Sequence, residues 1–240
     1  MLMNKLIIAL LLLPCCAAGQ SIFAHNDYAK PMPFHHAFKL RANYIEADVF
    51  LKDETLLVAH TRSEIDHSKT LEKMYLDPLA ERIDSLYGLT LMIDLKTDGA
   101  ETLAALVRVL GQYPQLTSSK NLSITISGNY PPPAEWNNYP EYIKFDGRPW
   151  INYTPGQLQR VTLISTSYTS VSSWSGRGKI PPQERRRLMQ VVDEVHRLGK
   201  PVRFWGSPDH ENAWEKFIAM GIDVLNSDHI DELANYLADH

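Results

Sequence analysis

Two carboxylates, Glu46 and Asp48, stand inside a run that otherwise reads as a buried β-strand, "NYIEADVFL". Side chains alternate across a strand, so both point to one face. A buried charge must be paired or must bind a metal. The acids therefore either hold a cation or belong to an edge strand with a wet face. Oxygen-only ligands suit Mg²⁺ or Ca²⁺. The pair does not stand alone. A first strand, "SIFAH", ends in His25; a third, "TLMIDLK", ends in Asp94, with Lys96 two residues on and in phase; "PVRFW" ends with Arg203 and Trp205 in phase. Lys144 lies within "YIKFDG", as a substrate ligand or as a lysine snorkelling from a sheet edge. Asn26 adjoins His25, placed to donate to a phosphate or to ligate the metal.

These residues need a scaffold that brings strand ends together. Short β-rich runs continue through "NLSITISG", "VTLISTS" and "DVLNS". Helix patterns separate several of them. "DGAETLAALVRVLG" offers Asp98 as a cap and puts Leu103, Leu106, Val107 and Leu110 on one face. "PPQERRRLMQVVDEVHRLGKP" repeats the periodicity and stops at Gly199. The segment "YLDPLAERIDSLYG" reads as a helix capped by Asp77. Strand and helix alternating at this pace predict a parallel sheet, and eight such units predict an α/β chain closed into a (β/α)₈ TIM barrel. An open doubly wound sheet is the alternative; no glycine-rich phosphate loop follows any strand. Residues 130–156 are rich in Pro, Asn and Trp, so the barrel is expected to be irregular there, with Trp136, Tyr139 and Trp150 walling the site or packing the loops down. Barrel enzymes keep their chemistry at the C-terminal ends of the strands, where the polar residues above collect.

Composition narrows the classes further. The chain has 240 residues, 44% of them hydrophobic and 22% charged, with a net charge of −4 and hence no basic footprint for nucleic acid. No apolar run is long enough to span a membrane. Residues 1–19, with Lys5, an apolar stretch to Leu13 and small residues Ala17, Ala18 and Gly19, have the layout of a secretory signal peptide. The expectation is a secreted or periplasmic protein whose single domain covers 20–240. Both cysteines, Cys15 and Cys16, fall in the leader, which leaves the mature chain without disulfides or thiolates.

The order of elements also resembles a known family. A first strand ending in histidine, then E-x-D, then a second histidine closing a short hairpin (His60), then an acid before "LK" is similar to the glycerophosphodiester phosphodiesterase superfamily. The "AHNDY" opening resembles its phosphatidylinositol-phospholipase-C-like branch. The resemblance implies that His25 and His60 are catalytic and that Glu46, Asp48 and Asp94 bind a divalent cation. It further implies that Lys96 faces the phosphate and that Trp205 borders the head group. The familiar diesterase has Arg and Gly where this chain has Asn26 and Asp27, and commonly Glu where it has Asp94. The implied partner is a small-molecule or lipid-head-group phosphodiester. Histidine suits proton transfer because its ordinary pKa lies near 6.5, and cations neutralise the phosphoryl oxygens. A metal-independent phospholipase-C-like lyase, a non-catalytic phospho-ligand or sugar-phosphate barrel, and a carbon–nitrogen hydrolase are the other readings. The first two share the same mouth; the third wants several histidine ligands where this chain offers carboxylates.

Overall fold

The structure, a computed structural model, describes residues 19–240. Residues 1–18 of the expected leader, with the two cysteines, lie outside the described residues. Nine strands form one sheet: β1 Ser21–Ala24, β2 Tyr44–Lys52, β3 Thr55–Val58, β4 Leu89–Leu95, β5 Leu122–Gly128, β6 Ile143–Gly147, β7 Val161–Ser167, β8 Val202–Trp205 and β9 Val224–Ser227. All neighbours pair in parallel except β3, which folds back on β2 as an antiparallel hairpin. Because β1 pairs with both β9 and β2, the eight parallel strands close into the expected TIM barrel, and β3 hangs outside the ring.

The helices are α1 His35–Lys39, α2 Asp77–Glu81, α3 Gly99–Leu110, α4 Pro114–Thr117, α5 Pro155–Gln159, α6 Pro182–Arg197, α7 Glu211–Ala219 and α8 Ile230–Asp239. Asp98 caps α3 as its sequence indicates, accepting from the backbone N–H groups of Ala100 and Glu101 at 3.1 Å each. Leu103, Leu106 and Leu110 then turn inward and are buried. Asp77 does not cap α2: the helical run starts earlier, with a π-turn over Glu72–Leu76, so Asp77 sits inside it.

Between β5 and β6 no α-helix forms, and the barrel is irregular as expected. A 3₁₀ segment, Pro133–Asn138, replaces the helix. Its Trp136 is fully buried and lies flat on Phe145 of β6, with ring centroids 4.1 Å apart. Trp136 thus packs the loop down. Arg160 fixes the same loop, donating to the carbonyls of Trp136, Pro140 and Ile143 at 2.9–3.0 Å. Backbone groups without a ladder need such partners when buried.

The alternation of β2 sorts its residues. Ile45, Ala47 and Val49 are fully buried and join the large outer core. Tyr44 joins Phe23, Met92, Leu163 and Val224 in a second, smaller cluster that plugs the barrel interior. Glu46 and Asp48 follow Tyr44 on that inner face and so stand above the plug. Asp53 and Glu54 make the hairpin turn to β3 with φ of 48° and 61°, the pair of left-handed residues that a tight two-residue turn requires.

Candidate active site

Strand register assembles the site. Asp48 of β2 sits beside Asp94 of β4, which sits beside Ser127 of β5. Oxygens of Glu46, Asp48 and Asp94 come within 4.8 Å of one another. Ser127 donates its hydroxyl to Asp94 Oδ2 at 2.9 Å. Lys96 bridges Asp48 and Asp94, its Nζ 2.9 Å from Asp48 Oδ2 and 2.8 Å from Asp94 Oδ1. Burial lowers the Lys96 pKa, but Asp94 and then Asp48 outweigh it, so the net shift is upward. Gly128 approaches so closely that a Cβ there would stand 2.6 Å from Asp94 Oδ1.

Glu46 is almost wholly enclosed. Burial pushes its pKa up, against the opposing charges of Arg203 and His25. Arg203 is itself buried, its guanidinium 3.5 Å over the Phe23 ring and donating through Nε to Asn226 Oδ1 at 2.9 Å. Its Nη2 lies 3.8 Å from Glu46 Oε1. The guanidinium thus sits between plug and mouth.

The two histidines come from loops on either side of β2. His25 follows β1, and its Nδ1 lies 3.1 Å from Asp228 Oδ1 while its Nε2 lies 3.7 Å from Glu46 Oε2. Burial alone would lower its pKa, yet the Asp228 hydrogen bond and the nearby charges of Glu46 and Asp228 raise it overall. Asn26 takes the left-handed conformation, φ 50°, which Asn tolerates better than most residues. That turn brings its backbone N–H to Glu46 Oε2 at 3.2 Å. Its side-chain amide donates to Asp228 Oδ1 at 3.2 Å. His60 follows β3, and its Nδ1 lies 3.0 Å from the Tyr28 hydroxyl and 3.3 Å from Asp48 Oδ2. Tyr28 OH in turn reaches Asp48 Oδ2 at 2.8 Å and Asn26 Oδ1 at 2.6 Å. These bonds leave Nε2 of His60 free of the network.

A cavity of about 400 Å³ opens over this cluster. His25, Glu46, His60, Asp94, Lys96, Arg203 and Trp205 all line it. Asp48 lies beneath, in the hydrogen-bond network, and Asn26 holds the turn behind His25.

Lys144 does not join them. It faces the barrel interior near the start of β6, paired with Thr125. Burial lowers its pKa first, and the charge of Arg160 lowers it further. Lys200, just before β8, feels the Lys144 charge as well. Lys144 therefore lies at the N-terminal end of the barrel, opposite the mouth. The residues that β6 does contribute are Asp146, which is buried, and Arg148, which follows the strand; both line the cavity. Arg148 Nη1 donates to Asp146 Oδ2 at 2.7 Å. Sequence reasoning passed over this pair, along with Tyr28 and Asp228. Asp146 and Gly147 at the strand end were the available signal. His210 and His229 follow β8 and β9 but line no part of this cavity; His35, His36, His67 and His196 also lie elsewhere.

A profile described as AIM6-like phosphodiesterase domain matches residues 17–87, and the glycerophosphoryl diester phosphodiesterase family profile matches residues 201–231. The first covers the strands carrying His25, Glu46, Asp48 and His60; the second covers Arg203, Trp205 and Asp228. Altered inheritance of mitochondria protein 6 of Eremothecium gossypii is 24% identical over 274 residues, spanning 90% of this chain and 69% of that protein. The Arthroderma benhamiae homolog is 22% identical, spanning 90% and 83%. Among solved structures, a glycerophosphodiester phosphodiesterase from Parabacteroides distasonis superposes with a TM-score of 0.59 at 16% identity, covering 92% of this chain and 97% of its own. An Oleispira antarctica phosphodiesterase, solved with the product sn-glycerol-3-phosphate, gives the same TM-score and coverage at 18% identity. Profiles and neighbours bear out the resemblance to the glycerophosphodiester phosphodiesterase and phospholipase-C-like superfamily. No helix among the described residues is long and apolar enough to cross a membrane.

Proposed function

We propose that this protein is a metal-dependent phosphodiesterase that cleaves a glycerophosphodiester-like or head-group-like substrate by paired histidine catalysis. The observation that carries this reading is one cavity lined by two imidazoles, a carboxylate cluster and the cations Lys96, Arg148 and Arg203. A non-catalytic binder would need the cations but not two proton-transfer groups. The Oleispira neighbour, solved with sn-glycerol-3-phosphate, supports a small phosphodiester as ligand.

The donor set fits a hard divalent cation. Glu46, Asp48 and Asp94 offer only oxygen, and Glu46 is buried where its ionised form needs positive charge. When bound there, Mg²⁺ or Ca²⁺ supplies a Lewis acid that neutralises the phosphoryl oxygens. The chain's own residues do the rest. Arg148 and Lys96 draw the phosphate anion into the cavity. His60 directs Nδ1–H at Asp48 and Tyr28, a tautomer assigned from this network, so its free Nε2 accepts the proton of the attacking hydroxyl or water. A new P–O bond forms as the P–O bond to the alcohol breaks. His25, whose pKa is raised, gives its Nε2 proton to the leaving oxygen. Asp228 and Asn26 hold the His25 ring, and Trp205 flanks the head group. We also propose that the protein is secreted or periplasmic, on the layout of residues 1–19; mass spectrometry of the mature N-terminus, expected at Gln20, tests this.

The test is a panel of glycerophosphodiesters with purified protein. His25→Ala and His60→Ala should each lower kcat by about 10²–10⁴. Turnover of no diester, with the fold intact, would remove the proposal. The Lys96 bridge supports a second reading, a metal-independent lyase in which Lys96 neutralises the acids and Arg148 the substrate; chelation separates the two.

A further inference from the structure

Two further cavities with lysines in their lining adjoin the mouth beyond His60. His60 also lines a neighbouring cavity of about 500 Å³, together with Asn26, Tyr28, Lys30, Glu64 and Lys69. Tyr28, Lys30 and Lys69 are shared with a further cavity of about 410 Å³ that Lys73, His35 and Ser68 complete. The three spaces run in series from the catalytic mouth outward along the rim.

Their charge changes along the way. The mouth is rich in carboxylates. The middle cavity has two, and both are engaged: Glu64 accepts from the backbone N–H of Thr61 at 3.1 Å, and Asp228 from Asn26 and the His25 ring. Among the described residues, no carboxylate lines the outer cavity. Among the described residues, Lys30, Lys69 and Lys73 form no ion pair with any acid. A cleft lined by one sign of charge raises the local concentration of the opposite sign.

The Lys30 side chain and the backbone that carries Lys69 are fixed relative to the chemistry. Lys30 Nζ donates to the Asp228 backbone carbonyl at 2.9 Å. The backbone carbonyl of Lys69 accepts from Val58 N–H at 2.9 Å, two residues before His60, and Thr70 bridges to Leu57. The segment bearing Lys69 is thereby stitched to the hairpin that presents the histidine. Lys73 follows four residues later, in the helical turn Glu72–Leu76, and lines the outer cavity together with Lys69.

We propose that Lys30, Lys69 and Lys73 bind a phosphomonoester carried by the substrate's head group, on the far side of that group from the scissile phosphorus. The substrate class is then a phosphodiester whose polyol bears a further phosphate, reached past His60. This rests on the phosphodiesterase reading for the position of the first phosphate, whereas the anion site itself is measured by binding.

The probes are myo-inositol 1-phosphate and myo-inositol 1,4-bisphosphate, titrated calorimetrically into the full chain. The bisphosphate should bind at least about tenfold tighter. In the double variant Lys69→Gln/Lys73→Gln that preference should vanish, while Arg185→Gln/Arg186→Gln, which removes equal charge from the exposed start of α6, should preserve it. Equal affinity of the two probes for the unmodified protein overturns the proposal, as does loss of the preference in both variants. A preference without turnover of any diester would retain the anion site and reject the phosphodiesterase reading. Vesicles containing phosphatidylinositol 4-phosphate distinguish the source: Lys69-dependent binding to them assigns a lipid head group, and binding of the soluble bisphosphate alone assigns a free polyol phosphate.

Discussion

Asp94-Leu95-Lys96 at the end of β4 and Lys144-Phe145-Asp146 on β6 contain the same two charged residue types in reverse order, one residue apart. In both, the charged side chains face the barrel interior and the apolar residue packs outward. The outcomes differ completely. Lys96 reaches the mouth and bridges Asp48 and Asp94. Lys144 lies at the other end, near Arg160 and Lys200 with no acid bonded to it, while Asp146 takes the mouth and pairs with Arg148. Parity along a strand fixes which face a residue occupies; position along the strand fixes which end. Only the second separates a lysine at the mouth, paired with two acids, from one at the opposite end, where burial and the Arg160 charge outweigh that of Glu141.

Substitutions at these positions sharpen the contrast. Lys96→Met should lower kcat/KM for a diester by about 10²–10³, the scale of losing one preorganised electrostatic partner; a change within twofold would make Lys96 a structural counter-ion. Arg148→Met should raise KM by about 10- to 100-fold, the worth of a charge-assisted hydrogen bond, and steady-state kinetics reads that split directly. Tyr28→Phe removes the hydroxyl shared by Asp48, Asn26 and His60 and should cost about tenfold in activity. Lys144→Met should leave activity within twofold. Its effect belongs to stability. The folded state lowers the Lys144 pKa, so the unfolded chain binds the proton more tightly, and stability rises with pH below the ordinary lysine value of about 10.4. Denaturant melts across that window should show a shallower rise in the Met variant. Lysine side-chain NMR on chelated protein should place Lys96 above the ordinary value and Lys144 below it.

Much of this site was legible in the chain. Period-two alternation in "YIEADVF" put Glu46 and Asp48 on one face, and the short strands with intervening amphipathic helices implied the closed barrel. His25, Asp94, Lys96, Arg203 and Trp205 were found because each closes or nearly closes a strand. Lys144 departs from the expectation because it stands near the start of β6, whereas Asp146 stands near the C-terminal end that meets the mouth. Tyr28 and Asp228 were not legible: one acts through a loop that Asn26 turns, the other through a pairing of β9 with β1, and neither leaves a periodic trace. The helix missing between β5 and β6 was signalled by its Pro and Trp content, but Arg160's bonds to that loop's carbonyls depend on tertiary contact alone.

The central claim is that the carboxylates of the mouth hold a divalent cation used in diester cleavage. Phosphodiester turnover after EDTA treatment and metal add-back tests it most directly. Activity should fall to background in EDTA, return with Mg²⁺ or Ca²⁺, and fail to return in Asp94→Asn at the same metal concentration. Full turnover in EDTA, with Lys96 and both histidines still required, would contradict it.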